Sequence, residues 1–354
     1  MILKNAENRL KGSKVMITGH TGFTGTWTQL WLDSIGAECF GLSFENKDKY
    51  SLRKFTKLRP SGEFIGDVAD STFVLDTFAK VKPDFVLHLA AQPIVSEAYS
   101  DPLRTVLSNT QGTAVVLEAC RKIKSVQSVV CVTSDKVYKN LETGKRFTES
   151  DELGGKDPYS ASKSAAEHII SAYQQVFEYE RRKINFQVAR GGNIVGGGDY
   201  SKDRLIPDLV LSIIDNKKII IRNPNSTRPW QHVLSLVHGY ILLLAKHNEE
   251  NLFGTWNFGP LTNKELKVSE IIKLFESNWK LPPLNYGHPI YFESKNLNID
   301  STNAVNNLGW MPRWNYEKIF NATINWYKNV HTSNSDPLVI SNIQLNEYRN
   351  LHST

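Results

Sequence analysis

The stretch Lys14-Val15-Met16-Ile17-Thr18-Gly19-His20-Thr21-Gly22-Phe23-Thr24-Gly25 decides the fold. An apolar run of strand length leads into glycines three residues apart, and Trp27, Leu30, Trp31 and Leu32 follow at helical spacing. Strand, glycine turn and helix, in that order, form the context of a dinucleotide-binding turn. Glycine permits the tight turn and a close approach of backbone to pyrophosphate, and the helix N-terminus adds N–H donors and a favourable dipole. Gly19, Thr21, Gly22, Phe23 and Gly25 are therefore the first cofactor candidates. The spacing is G-x-x-G-x-x-G rather than G-x-G-x-x-G. A turn made only for packing reads the same way, so the rest of the chain must decide.

Downstream, Glu38 to Ser43 reads as a second strand. An acid near its end would bind a ribose, but Ser43 and Phe44 come first and Glu45 follows. Arg53 reads either as a partner for a 2′-phosphate or as a solvated arginine. Phe64-Ile65-Gly66-Asp67 is a third short strand, with Asp67 and Val68 placed to reach an adenine ring and Asp70 as a helix N-cap. Phe85 to Gln92 is a fourth, ending in Leu89, Ala90 and Ala91, where small side chains let a cofactor lie against the backbone. His88 within it reads as a core histidine. Helical periodicity from Pro102 to Ile123 precedes the apolar run Val129-Val130-Cys131-Val132, and Asn185 to Arg190 is a sixth strand. This alternation of strands and helices over roughly 190 residues predicts an α/β fold with a doubly wound parallel sheet.

The fifth strand leads into Thr133-Ser134-Asp135-Lys136, a hydroxyl pair, a carboxylate and an amine where such sheets bind ligands. Tyr159 and Lys163, four residues apart, share one face of the next helix. A cation beside a phenol favours phenolate, which can act as a base. Successive strand residues face opposite ways, so Asp135 and Lys136 both reach a substrate only if the strand ends before them. After Asn193 the texture changes to Gly196-Gly197-Gly198-Asp199, then Arg204, a short helix, and a strand at Lys218 to Arg222. Arg222 and Arg228 sit on turns, with Trp230 close by. Guanidiniums fit phosphate bidentately and Trp stacks on a base, although surface arginines would look alike. Beyond about Val330 the chain is polar and without clear periodicity, which reads as a tail.

Composition narrows the classes. In 354 residues, 40% hydrophobic and 22% charged side chains describe a globular protein, and no apolar run reaches membrane-spanning length. The N-terminus lacks the apolar centre of a signal peptide. Three widely spaced cysteines suit reduced thiols and a cytoplasmic location, with no zinc pattern. The net charge of +6 is spread along the chain, so a phosphorylated small molecule accounts for it and no nucleic-acid or membrane partner is expected.

Gly19-x-x-Gly22-x-x-Gly25, Asp67, Leu89-Ala90-Ala91-Gln92 and Tyr159-x-x-x-Lys163 together resemble the extended short-chain dehydrogenase/reductase superfamily. Ser134-Asp135-Lys136, Asp203-Arg204-Leu205-Ile206-Pro207-Asp208, Ile221-Arg222-Asn223-Pro224 and Arg228-Pro229-Trp230-Gln231-His232 resemble the CDP-glucose branch of the nucleotide-sugar 4,6-dehydratases, with similarity from about residue 10 to 328. The resemblance implies a Rossmann-type domain over 10–193, with a returning segment near 230–258. It also implies a smaller C-terminal α/β substrate-binding domain over 194–229 and 259–328, with 329–354 left as the polar tail. It implies tightly held NAD, contacted by the glycine turn, Asp67, Val68, Leu89, Ala90, Ala91, Thr133, Tyr159 and Lys163. Tyr159 would take the sugar 4-hydroxyl proton as hydride leaves C4, with Lys163 lowering its pKa and Ser134 close by. A protonated Asp135 would release the C6 hydroxyl. Lys136, where most of these dehydratases carry an acid, would be the C5 base or, as a cation, stabilise an enolate. Gln92, Asn193, Arg204, Leu205, Arg222, Arg228 and His232 would bind the nucleotide diphosphate sugar, in a homodimer or homotetramer. A 4-epimerase or reductase of the same fold would need Tyr, Lys and Ser/Thr without the Asp–Lys pair.

Overall fold

The computed structural model describes residues 1–46, 48–246, 253–261, 266–287 and 297–351. Its centre is a seven-stranded sheet of β1 (Lys14–Thr18), β2 (Glu38–Ser43), β3 (Gly62–Ile65), β4 (Phe85–His88), β5 (Ser128–Val132), β6 (Asn185–Gly191) and β7 (Phe253–Phe258). The order is β7-β6-β5-β4-β1-β2-β3, and every neighbouring pair is parallel. Strands of such sheets are covered by helices on both faces and so run apolar. Every residue of β4 is buried, and so are the first four of β5. One face packs on a core containing Trp27, Trp31, Leu234 and Ile241, the other on one containing Val74, Phe78, Val116 and Phe177. The doubly wound sheet read from the sequence is present. Chain order reverses between β1 and β4, and ligands of such sheets bind beyond the strands' carboxyl ends at that point.

Local chemistry fixes the helices that border this crevice. The Pro158–Tyr179 helix starts with Pro in its first turn and Asp157 as N-cap, accepting from Ser160 N–H at 3.0 Å. Such a cap stabilises by about 1 kcal/mol. The periodic segment from Pro102 to Lys122 is interrupted by a π-turn, Leu107–Gln111. That turn carries buried Asn109, whose side chain accepts from Gln92 N–H at 2.7 Å and donates to Ser162 Oγ at 2.9 Å. Outside the main sheet, the Leu205–Ile214 helix, Ile219–Ile221 paired with Leu284–Tyr286, and Thr227–Arg228 paired with Leu266–Lys267 form a smaller α/β layer.

Two expectations change. The stretch after Val330 is not a tail: Tyr316–Thr332 is one helix and Pro337–Asn350 another. The second helix buries Leu345 and Tyr348, and Arg349 pairs with Glu7 at 2.8 Å. Few apolar residues suffice to dock it because its partners, Trp31 and Trp314, are large. Arg53 is neither solvated nor a phosphate partner; it is buried, donating to Gln29 at 2.7 Å and Glu63 at 2.6 Å. The segment from Leu261 to Trp326 lies partly outside the described residues.

His88 is the core histidine expected. It bridges Thr18 Oγ1 at 2.7 Å and Thr113 Oγ1 at 3.1 Å, and burial holds its pKa at about 3. An unfolded histidine binds its proton near pH 6.5 or about there, so stability from the neutral native ring is complete above that value and falls as pH drops toward 3. Urea unfolding from pH 7 to pH 5 should therefore show His88→Gln less acid-sensitive than wild type, by about 1.4 kcal/mol per pH unit below about 6.5. Parallel pH profiles would contradict this.

Candidate active site

β5 ends at Val132, and a single 3₁₀ turn, Asp135–Val137, follows with Ser134 as its N-cap. Ser134 Oγ accepts from Lys136 N–H at 3.1 Å and donates to Asp135 Oδ1 at 3.1 Å. Because the strand has ended, Asp135 and Lys136 do not diverge; both line one cavity of about 400 Å³. Tyr159 and Lys163 line it too. The Ser134 hydroxyl acts on the Tyr159 phenol, and Lys136 Nζ lies 5.9 Å from the Tyr159 ring centroid. Gly192 closes over Asp135 so tightly that a Cβ there would sit 2.3 Å from the carboxyl.

Burial dominates the electrostatics. It pushes Tyr159 up to about 12, against the Ser134 hydrogen bond. It lowers Lys163 to about 8, and the amine donates to the Val132 carbonyl at 3.3 Å. Burial thus outweighs the groups that favour phenolate, and the Lys163 amine is turned to the backbone. Asp135 is raised by burial, against Lys136, Ser134 and Arg228, which favours the acid form. Beneath the site, Thr133 Oγ1 donates to Glu167 Oε1 at 2.6 Å. Buried Arg190 clasps Glu167 through Nε at 2.8 and 3.0 Å and donates to Tyr138 Oη at 2.8 Å. This network ties β5 and the Tyr159 helix to β6.

Of the expected substrate contacts, Asn193, Arg204, Leu205, Arg222 and Arg228 line the cavity. Asn193 donates to Asp135 Oδ2 at 3.2 Å, Arg204 pairs with Asp199 at 3.0 Å, and Arg222 pairs with Asp203. Gln92 and His232 are not among its lining residues. Gln92 folds back to donate to Ile94 O at 3.0 Å and Thr105 Oγ1 at 2.9 Å. His232 is fully buried as the N-cap of the Val233–Leu244 helix, with its ring 4.7 Å from that of Trp314, so its place is in the core rather than against a substrate. Among expected cofactor contacts, Leu89, Ala91, Thr133, Tyr159 and Lys163 line the cavity. Asp67 accepts from Ala69 N–H at 2.9 Å and pairs with Arg104 at 2.7 Å, and Val68 is buried in the core. Thr21 is bonded to Ser43 at the end of β2 at 2.7 Å.

The turn itself fits a dinucleotide. Gly19 has φ +77°, and a Cβ there would lie 2.8 Å from Ala90 N; one on Gly25 would lie 2.3 Å from Gly19 O. The next helix, Phe23–Ser34, starts at Gly22 with no side-chain cap, so its first N–H groups are presented outward. Sequence reasoning missed Thr24 and Asp208, which line the cavity, and the Glu167–Arg190 pair. The Tyr159, Lys163, Glu167 series at four-residue spacing was a signal for the latter; Asp208 stood at the end of the Asp203–Asp208 motif with no role read from it.

A doubly wound sheet, an open glycine turn at its switch point, and Ser134, Tyr159 and Lys163 around one cavity define an extended short-chain dehydrogenase/reductase. Residues 16–323 match the family described as GDP-mannose 4,6 dehydratase, and the chain belongs to that family. The chain is 36% identical, over 97% of its length and 98% of the relative's, to the CDP-glucose 4,6-dehydratase of Salmonella typhimurium. It is 26% identical to a probable dTDP-glucose 4,6-dehydratase of Sinorhizobium fredii, over 89% of this chain and 92% of that one. In fold it resembles the dTDP-glucose 4,6-dehydratase of Streptomyces venezuelae solved with NAD, with TM-score 0.77, 20% identity, and coverage of 92% of this chain and 99% of that one. It also resembles the UDP-glucose 4-epimerase of Thermotoga maritima, with TM-score 0.78, 19% identity, and coverage of 90% and 99%. Among the described residues no helix is long and apolar enough to cross a membrane.

Proposed function

We propose that the chain is an NAD-dependent nucleotide-sugar 4,6-dehydratase whose substrate is CDP-glucose, converted to CDP-4-keto-6-deoxyglucose. The observation that carries this reading is the placing of Asp135 and Lys136 beside Ser134 and Tyr159 on one cavity. Oxidation and epimerisation at C4 need no acid–amine pair there; eliminating water across C5 and C6 does. The 36% identity to a CDP-glucose 4,6-dehydratase supports the choice of nucleotide.

The glycine turn, Leu89, Ala91, Thr133 and Lys163 would hold NAD, which when bound supplies a hydride acceptor and donor, so that the conversion needs no external oxidant. Ser134 orients the 4-hydroxyl and Tyr159, acting as the phenolate, takes its proton. The 4-keto group acidifies C5, Lys136 removes that proton, and Asp135 protonates the departing C6 hydroxyl. Arg222 and Arg228 bind the diphosphate. The substrate-binding portion is then residues 194–229 and 259–328. Exposed Leu103, Val106 and Tyr179 on the helices beside the site support pairing of two copies. The three cysteines, unpaired and buried, suit the cytoplasm.

Incubation with CDP-, dTDP-, GDP- and UDP-glucose, followed by mass spectrometry, tests the reading. CDP-glucose should lose one water and gain a trappable carbonyl; no loss of water from any of the four would overturn it. Arg222→Ala and Arg228→Ala should each weaken binding of the nucleotide diphosphate by roughly 1.5–3 kcal/mol, the worth of a charge-assisted hydrogen bond. Unchanged affinity in both would remove the two arginines from the diphosphate site.

A further inference from the structure

We infer that Asp208 reads the 4-amino group of a cytosine base and so selects CDP-linked sugars over UDP- and dTDP-linked ones. The inference rests on the dehydratase reading for the direction in which substrate lies. The cavity has an internal order. Arg228 acts electrostatically on Asp135, at the reacting end. Arg222 pairs with Asp203 and acts on Asp208. A nucleotide sugar with its hexose at Tyr159 and Asp135 and its diphosphate on the two arginines therefore brings its base toward Asp208. The walls beside Asp208 suit a flat ring: Leu205, Ile206 and Pro207 come from its own helix, and Ile219 and Ile221 from the neighbouring strand.

The chemistry of the pyrimidine edge does the rest. Cytosine presents a 4-amino donor where uracil and thymine present a 4-oxo acceptor. A carboxylate accepts from the first and repels the second. Asp208 is half-buried on the cavity wall. Burial and the charges of Asp203 and Asp199, against Arg222, push it up to about 7. Its negative charge is thus costly until a donor meets it, and the amino group of cytosine is such a donor. Uracil and thymine offer an acceptor there instead.

The test is calorimetric binding of CDP, UDP and dTDP at about pH 8, where a group with pKa of about 7 is mostly ionised, to wild type, Asp208→Asn and Asp208→Leu. Wild type should prefer CDP by about 10- to 100-fold. The Asn amide can turn either its oxygen or its NH₂ to the base, so Asp208→Asn should bind all three within about threefold. Asp208→Leu should lose CDP affinity without losing UDP affinity. Equal binding of CDP and UDP by wild type, or a wild-type ratio kept by Asp208→Asn, would overturn the inference. Binding is read without turnover, so failure of the dehydratase reading is seen separately, as wild type that releases water from no nucleotide sugar.

Discussion

Tyr159→Phe should lower kcat for dehydration by about 10²–10⁴-fold, the usual worth of a positioned proton acceptor, with nucleotide-sugar affinity little changed. The phenol lies in the cavity against Ser134, and burial holds it protonated with a pKa of about 12. Three groups decide how readily it can ionise. The Ser134 hydrogen bond and the charge of Arg204 favour phenolate, while a charged Asp135 opposes it. Burial raises Asp135 and so weakens that opposition. Burial thus favours the acid needed for elimination and opposes the phenolate needed for oxidation. Borohydride trapping of the carbonyl checks the expectation: the Phe variant should yield no trapped 4-keto sugar, and near wild-type yield would remove Tyr159 from the chemistry.

Asp135→Asn and Lys136→Met should stop the conversion one step later. Tyr159, Ser134 and Lys163 are untouched by either change, so the 4-keto sugar should still form. Asn keeps the shape of Asp135, with contacts to Ser134 and Asn193, but has no transferable proton, so C6 hydroxide leaves poorly and 6-deoxy product should fall by about 10²–10³-fold. Met removes the Lys136 amine, so exchange of the C5 hydrogen with deuterated water should be lost in that variant and kept in Asp135→Asn. If both variants release water normally, an epimerase or reductase reading replaces the dehydratase one.

Much of the fold could be read because its signals are local. The run from Lys14 to Gly25 announces strand, turn and helix within a few residues, and the strands of a covered parallel sheet are apolar enough to count. The site was legible where spacing alone places side chains together, as with Tyr159 and Lys163, or where a motif sits at a strand end, as with Ser134 to Lys136. It was not legible where long-range packing decides. Gln92 follows the small residues after β4, yet its amide is drawn to Ile94 and Thr105. His232 sits next to cavity-lining Trp230 but turns under its helix into an aromatic core. Arg53 looked like a surface charge because Glu63, its partner, lies on another element. The pKa of Tyr159 also escaped sequence reasoning, since burial, a tertiary property, outweighs the groups that favour phenolate.

Transfer of hydrogen from C4 to C6 tests the central claim most directly. CDP-glucose carrying deuterium at C4 should give CDP-4-keto-6-deoxyglucose with that deuterium in the C6 methyl group, while solvent supplies the new hydrogen at C5. Deuterium retained at C4, or recovered only in water, would contradict a dehydratase that moves hydride within a single sugar.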